Sequence, residues 1–227
     1  PIASTLAEAR AMVELSRRKG LRLAVGHTER YNPAVEAVLS LSSDPRFIEV
    51  HRLGSFSPRS LDIDVVLDLM IHDLDVVAKL VRCGMSSIEA VGVPVLTPRV
   101  DIANARIRFD NGAVANVTAS RVSQEKVRKL RLFEKNCYVS LDYQNQEALS
   151  YKLIPSKSGR LGIQKKELVV EREEPLRREL TDFIEAVEED RAPRVDGEDG
   201  LSALALAVAV GEAMEVNGGS SEGARGL

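Results

Sequence analysis

The chain begins with a hydroxyl pair, Ser4-Thr5, followed by LAEARAMVELSRRKG. Apolar residues recur there at helical spacing, Glu8 sits in the first turn, basic residues close the run and Gly20 stops it. This predicts a capped amphipathic helix over 4–19. The run Leu21–Gly26 (LRLAVG) suits a short buried strand, HTERYNP reads as a polar loop, and Asn32-Pro33 opens a second helix, Pro33–Leu41. Helix, strand and loop in this order form half of an α/β repeat.

After Asp44-Pro45 the pattern changes to strands divided by turns. The strands predicted are Phe47–Phe56, Ile88–Val95, Ala103–Phe109, Ala113–Arg121, Lys129–Glu134 and Tyr138–Asp142, with two more around Ala148–Ile154 and Glu167–Glu171. Asp110-Asn111-Gly112 is a hairpin signal, because Asn-Gly accepts the positive φ angles of a tight turn. Most of this region is expected to be an antiparallel sheet. Helices are predicted over Ile63–Arg82, Pro175–Glu189 and Gly197–Val216, and the Gly/Ser-rich end is expected to be a disordered tail.

Composition narrows the function classes. With 227 residues, 44% of them hydrophobic, and two Cys, the chain reads as a soluble globular protein. Its 31 basic against 34 acidic residues give a net charge of −3, so no field that gathers nucleic acid is expected. The apolar run Leu201–Met214 falls short of the roughly 18 residues needed to span a membrane. No secretory signal is visible, and Cys83 and Cys137 form no C-x-x-C pair, so a reducing cytoplasm is the expected compartment. The chain opens on Pro1 without an initiator Met, as though cut from something longer.

Two stretches concentrate chemistry. In Leu61–Leu80, LDIDVVLDLMIHDLDVVAKL, helical geometry puts Asp64, Asp68, His72, Asp75 and Lys79 within an arc of about 80°. Asp73 stands about 140° from Asp68, and apart from Asp62 the rest is apolar. Such a stripe is either an ordinary solvent face or the wall of a cavity. Asp68 and His72 lie four residues apart, where a carboxylate can orient an imidazole or share a substrate with it. A metal set of Asp68, His72 and Asp75 is disfavoured, because the other two histidines have no helical partner at ligand spacing, and no metal is expected. The second stretch, Gly26–Pro33 (GHTERYNP), follows a presumed parallel strand, where open α/β sheets bind ligands. Its alternative role is to cap the next helix through Asn32. No G-x-G-x-x-G, G-x-x-x-x-G-K-[ST] or G-x-S-x-G occurs.

Pro1 through Pro33, the Asp-x-x-x-His of VVLDLMIHDLD, and the closing RRELTDFIEAVEEDRAPRVDGEDGLSALALAVAV together resemble the Gfo/Idh/MocA family of sugar and cyclitol oxidoreductases. The likeness covers nearly all of Pro1–Gly218. It implies the C-terminal end of a Rossmann-type α/β domain (1–44), then an α+β substrate-binding and oligomerisation domain with a large, mostly antiparallel open sheet (45–217), then a tail (218–227). It implies hydride transfer between a sugar ring carbon and NAD or NADP, with the glycine-rich loop and a Glu-Lys pair outside this chain. GHTERYNPAV and RSLDIDVVLDLMIHDLDVV are most similar to the branch that oxidises UDP-N-acetylglucosamine at C3. By the same resemblance, His72 is the base or the relay to it and Asp68 its orienting partner. Arg30, Tyr31, Asn32 and Arg59 would contact substrate, and His27 and Arg30 the cofactor. The partners implied are a sugar or nucleotide-sugar substrate and further copies of the chain, as a homodimer or homotetramer through the open sheet. The alternative is a non-catalytic sugar-binding or oligomerisation module.

Overall fold

The computed structural model describes residues 1–58, 62–155 and 161–218. Helix α1 (Leu6–Lys19) starts where its sequence caps it: the Thr5 side chain accepts from the Glu8 N–H while the Glu8 carboxylate accepts from the Thr5 N–H. It ends at Gly20, whose left-handed φ of 65° costs little without a Cβ. A 3₁₀ turn at Thr28–Tyr31 leads into α2 (Pro33–Leu41), where the Asn32 side chain accepts from the Ala34 N–H.

One sheet of eight strands carries the fold. The strands are β1 (Phe47–Leu53), β2 (Met85–Val93), β3 (Ile102–Phe109), β4 (Val114–Ser120), β5 (Val127–Glu134), β6 (Cys137–Asp142), β7 (Glu147–Pro155) and β8 (Leu161–Leu168). Their order is β2-β3-β4-β1-β5-β6-β7-β8, antiparallel throughout except for the parallel pair β1 and β4. The β3–β4 hairpin turns at Asn111-Gly112, with Gly112 at φ 81° and the Asn111 side chain accepting from the Ala113 N–H. This is the α+β architecture with a large, mostly antiparallel open sheet that the sequence implied.

Alternation along the strands divides the two faces of the sheet. Ile48, Val50, Ala105, Ile107, Ala115, Val117, Leu130, Leu132 and Leu141 are fully buried toward α3 (Ile71–Val81) and α5 (Gly197–Gly218). Each larger one contributes about 1.5–3 kcal/mol of hydrophobic stabilisation. The other face carries Phe47, Phe133, Tyr138 and Tyr151 as cross-strand neighbours, with successive ring centroids 5.6, 5.0 and 5.5 Å apart. Helix α4 (Pro175–Glu188) is tied to the 3₁₀ turn by polar bonds, Thr28 Oγ1 donating to Glu179 and the Tyr31 hydroxyl donating to Asp182.

Three expectations change. Among the described residues Leu21–Gly26 makes a single antiparallel bridge, Ala24 to Asp196, in place of a ladder. The strand expected at Glu167–Glu171 runs instead over Leu161–Leu168, as the exposed edge partner of β7, where side chains on both faces meet solvent and leave no period in the sequence. The helix predicted over Ile63–Arg82 opens with a π turn at Val66–Met70, whose closing bond runs from the Ile71 N–H to the Val66 carbonyl five residues back. No described helix is long and apolar enough to cross a membrane. Residues 219–227, where the tail was predicted, lie outside the described residues.

Candidate active site

The π turn disperses the expected polar stripe. A turn holding an extra residue rotates everything beyond it, so spacing at 100° per residue no longer keeps the five side chains together. Asp64 caps the helix start, accepting from the Val66 and Leu67 N–H groups. Asp68 and His72 border an open cleft of about 420 Å³. Asp75 turns into the protein and Lys79 turns to the surface, 3.6 Å from Asp199. Asp73, which the pattern set apart on another face, is fully buried and receives the Arg52 guanidinium at 2.6 and 3.0 Å.

The Gly26–Pro33 loop divides in the same way. Asn32 reaches the cleft and also ties the loop down, its Nδ2 donating to the Tyr143 carbonyl at 2.9 Å. Arg30 and Tyr31 do not line it. The Arg30 guanidinium is buried against Asp75 at 3.1 Å and Asp199 at 3.6 Å, and the buried Tyr31 hydroxyl donates to Asp182. A buried guanidinium demands such partners, and Arg30 has two carboxylates against it. His27 is buried beside His72, ring centroids 5.5 Å apart edge to face, and both its ring nitrogens lack a hydrogen-bond partner. Arg59 lies outside the described residues.

Sequence reasoning passed over much of the cleft. Its remaining lining includes Thr28, Glu29, Arg52, Arg128, Tyr143, Gln144 and Gln146. One signal was available: in β1 the buried phase is Ile48, Val50 and then Arg52, and a charge in the inward phase of a strand needs a partner or a purpose. Arg52 also donates to Glu29 at 3.1 Å, and its guanidinium lies over the Tyr143 ring at 5.5 Å. Tyr143, Gln144 and Gln146 come from the β6–β7 turn, whose position beside the 3₁₀ turn is set by the sheet.

Burial and nearby charges keep His27 and His72 neutral. Burial, followed by the charges of Arg52 and Arg128, lowers the His72 pKa to about 4. Burial, then His72 and Arg30, lowers that of His27 to about 3. At neutral pH the His72 imidazole is therefore uncharged, with a lone pair able to accept a proton. Burial pushes the Asp75 carboxyl up while Arg30 opposes it. Among the described residues no three His, Cys, Asp or Glu side chains are grouped to hold a metal ion.

Residues 62–219 match the model of the oxidoreductase family, C-terminal alpha/beta domain, of the Gfo/Idh/MocA group, and the chain belongs to that family. It is 37% identical over 210 residues to UDP-N-acetylglucosamine 3-dehydrogenase of Acidithiobacillus ferrooxidans, covering 92% of this chain and 67% of the relative. The solved structure of that organism's UDP-N-acetylglucosamine 3-dehydrogenase GnnA superposes with a TM-score of 0.88 at 36% identity, over 95% of this chain and 70% of that one. Levoglucosan dehydrogenase in complex with NADH and L-sorbose shares the fold at a TM-score of 0.81 and 18% identity, over 95% of this chain and 69% of the other.

Proposed function

We propose that this chain is the substrate-binding part of a nicotinamide-dependent dehydrogenase that oxidises a nucleotide sugar, UDP-N-acetylglucosamine at C3, in the cytoplasm. The observation that carries the reading is the wall formed by Asp68 and a neutral His72 on an open cleft, opposite hydrogen-bonding side chains suited to a polyol. The likeness to UDP-N-acetylglucosamine 3-dehydrogenase supports the choice of substrate. Thr28, Asn32, Gln144 and Gln146 hold ring hydroxyls, His72 takes or relays the proton of the reacting hydroxyl, and Asp68 orients the sugar and the imidazole.

The site also fits a nicotinamide. Both ring nitrogens of His27 are buried without partners beside His72, and a hydrogen-bonding group placed against them would remove the cost of leaving them unpaired. His27 would hold that group, whereas Arg30 is committed to Asp75. When bound, the cofactor supplies the hydride acceptor. In this reading residues 1–44 close a dinucleotide-binding domain, and the sheet face bearing Phe47, Phe133, Tyr138 and Tyr151 pairs with another copy into a homodimer or homotetramer.

The test is to extend the protein upstream of Pro1 by its own coding sequence and assay it with UDP-N-acetylglucosamine and NAD or NADP. The expected result is reduced nicotinamide in step with a 3-keto sugar product. No oxidation of any nucleotide sugar, or an upstream segment that is not a dinucleotide-binding domain, favours the non-catalytic module instead.

A further inference from the structure

A second hollow, of about 510 Å³, continues the cleft on the far side of Asp68 and Leu69 and shares Arg52 and Arg128 with it. The two hollows differ in charge. The first has Glu29, Asp68 and Glu174 among its lining, together with hydroxyl and carboxamide groups. In the second, Asp68 is the one carboxylate among the described residues, against four basic side chains. Two of these cations are already neutralised: Arg52 by Asp73 and Glu29, and Arg121 by Asp101 at 3.0 Å. The other two are uncommitted. Lys126 is exposed and has no ion pair or hydrogen bond among the described residues, and Arg128 has only Glu29 at 3.9 Å, a carboxylate that Arg52 already holds at 3.1 Å. Ser55 and Ser57 add hydroxyl donors at the same rim.

Two uncommitted cations and two hydroxyls form a receptor for a diphosphate, since a guanidinium and an ammonium both strengthen their hydrogen bonds to phosphate oxygens by charge. We infer that Lys126 and Arg128 bind the diphosphate of a nucleotide sugar while the sugar ring lies in the neighbouring hollow against His72. This inference rests on the nucleotide-sugar reading and adds to it the residues that separate such a substrate from a free sugar. The polarity of the groove sets the direction of the ligand: the uncharged polyol goes where hydrogen-bonding groups and carboxylates gather, and the dianionic diphosphate goes where the free cations are.

The test uses the 227-residue chain and calorimetric titration with UDP, which carries the diphosphate without a sugar. The wild-type chain is expected to bind UDP, more weakly as salt rises, and the double substitution Lys126→Gln with Arg128→Gln to weaken that binding about tenfold or more. Both side chains lie outside the core, so unfolding monitored in parallel is expected to be unchanged. A titration with NADH separates the two sources of a diphosphate: it is expected not to compete with UDP. Competition at similar affinity would give the patch to the cofactor and overturn the assignment, as would failure of the wild-type chain to bind UDP or equal binding by the double variant. Those failures leave the dehydrogenase reading standing. Conversely, UDP binding that depends on Lys126 and Arg128 stands even if the upstream-extended protein oxidises no nucleotide sugar.

Discussion

His72 and Asp73 are adjacent on one helix and meet opposite fates. His72 borders an open cleft as a neutral imidazole; Asp73 is buried in a two-pronged pair with Arg52 beneath the same cleft. Asp68 and Asp75 repeat the contrast, one on the cleft wall and the other facing the buried Arg30. Residue type does not separate the pair on the cleft from the buried pair. Asp73 and Asp75 are each buried against a fixed counter-ion, and those counter-ions come from β1 and from the 3₁₀ turn, far away in sequence.

The largest effects should break this contrast if it is wrong. In the upstream-extended protein, His72→Ala is expected to lower turnover about 10²- to 10⁴-fold, the range of a positioned acid–base group, with little loss of stability. Asp68→Asn is expected to lower it less or comparably. Steady-state rates with one accepted nucleotide sugar measure both, and unchanged turnover in the His72 variant removes His72 from the mechanism. Asp73→Ala should act on the other side of the contrast, costing about 3 kcal/mol in urea unfolding, because it leaves the buried Arg52 guanidinium with Glu29 alone. Arg52→Met combined with Asp73→Leu is expected to recover most of that loss. An Asp73→Ala protein as stable as its parent would show that the pair is not structural.

Acid should sharpen the same comparison. The unfolded chain's histidines protonate near pH 6.5, while His72 and His27 in the folded chain do so only at about 4 and about 3. Between those values the unfolded state binds more protons, so their contribution to stability is present above about pH 6.5 and is lost as the pH falls. His72→Gln is expected to flatten the stability profile between about pH 6.5 and 4, by up to about 1.4 kcal/mol per pH unit. Parallel profiles for variant and parent would contradict the burial of the imidazole. The smallest effect belongs to the outermost member of the predicted stripe. Lys79, half exposed and 3.6 Å from Asp199, is expected to change stability by no more than about 0.5 kcal/mol on replacement by Ala. A larger loss would place that pair in the core network.

Short-range rules made several parts of the molecule legible. Thr5, Glu8 and Gly20 specify α1 because caps bond within a turn, and Asn111-Gly112 specifies its hairpin because few residues accept those φ angles. Alternation in β1 marked its buried phase, and the Asp68–His72 spacing brought both residues to one wall. The tertiary structure decided the rest. Periodicity read Asp64, Asp68, His72, Asp75 and Lys79 as one face, but the π turn and the pull of Arg30, 45 positions before Asp75, separate them. The Tyr31 hydroxyl is held by Asp182, 151 positions on, and Leu21–Gly26 makes one bridge, to Asp196, in place of a ladder. Arg52, Arg128, Tyr143 and Gln144 reach the cleft only because the sheet order sets β1, β5 and the β6–β7 turn against the 3₁₀ turn. A chain specifies through its own sequence what depends on neighbours one turn away. Which charge is buried against a partner, and which borders the cleft, depends on contacts that exist only once the sheet has closed over its helices.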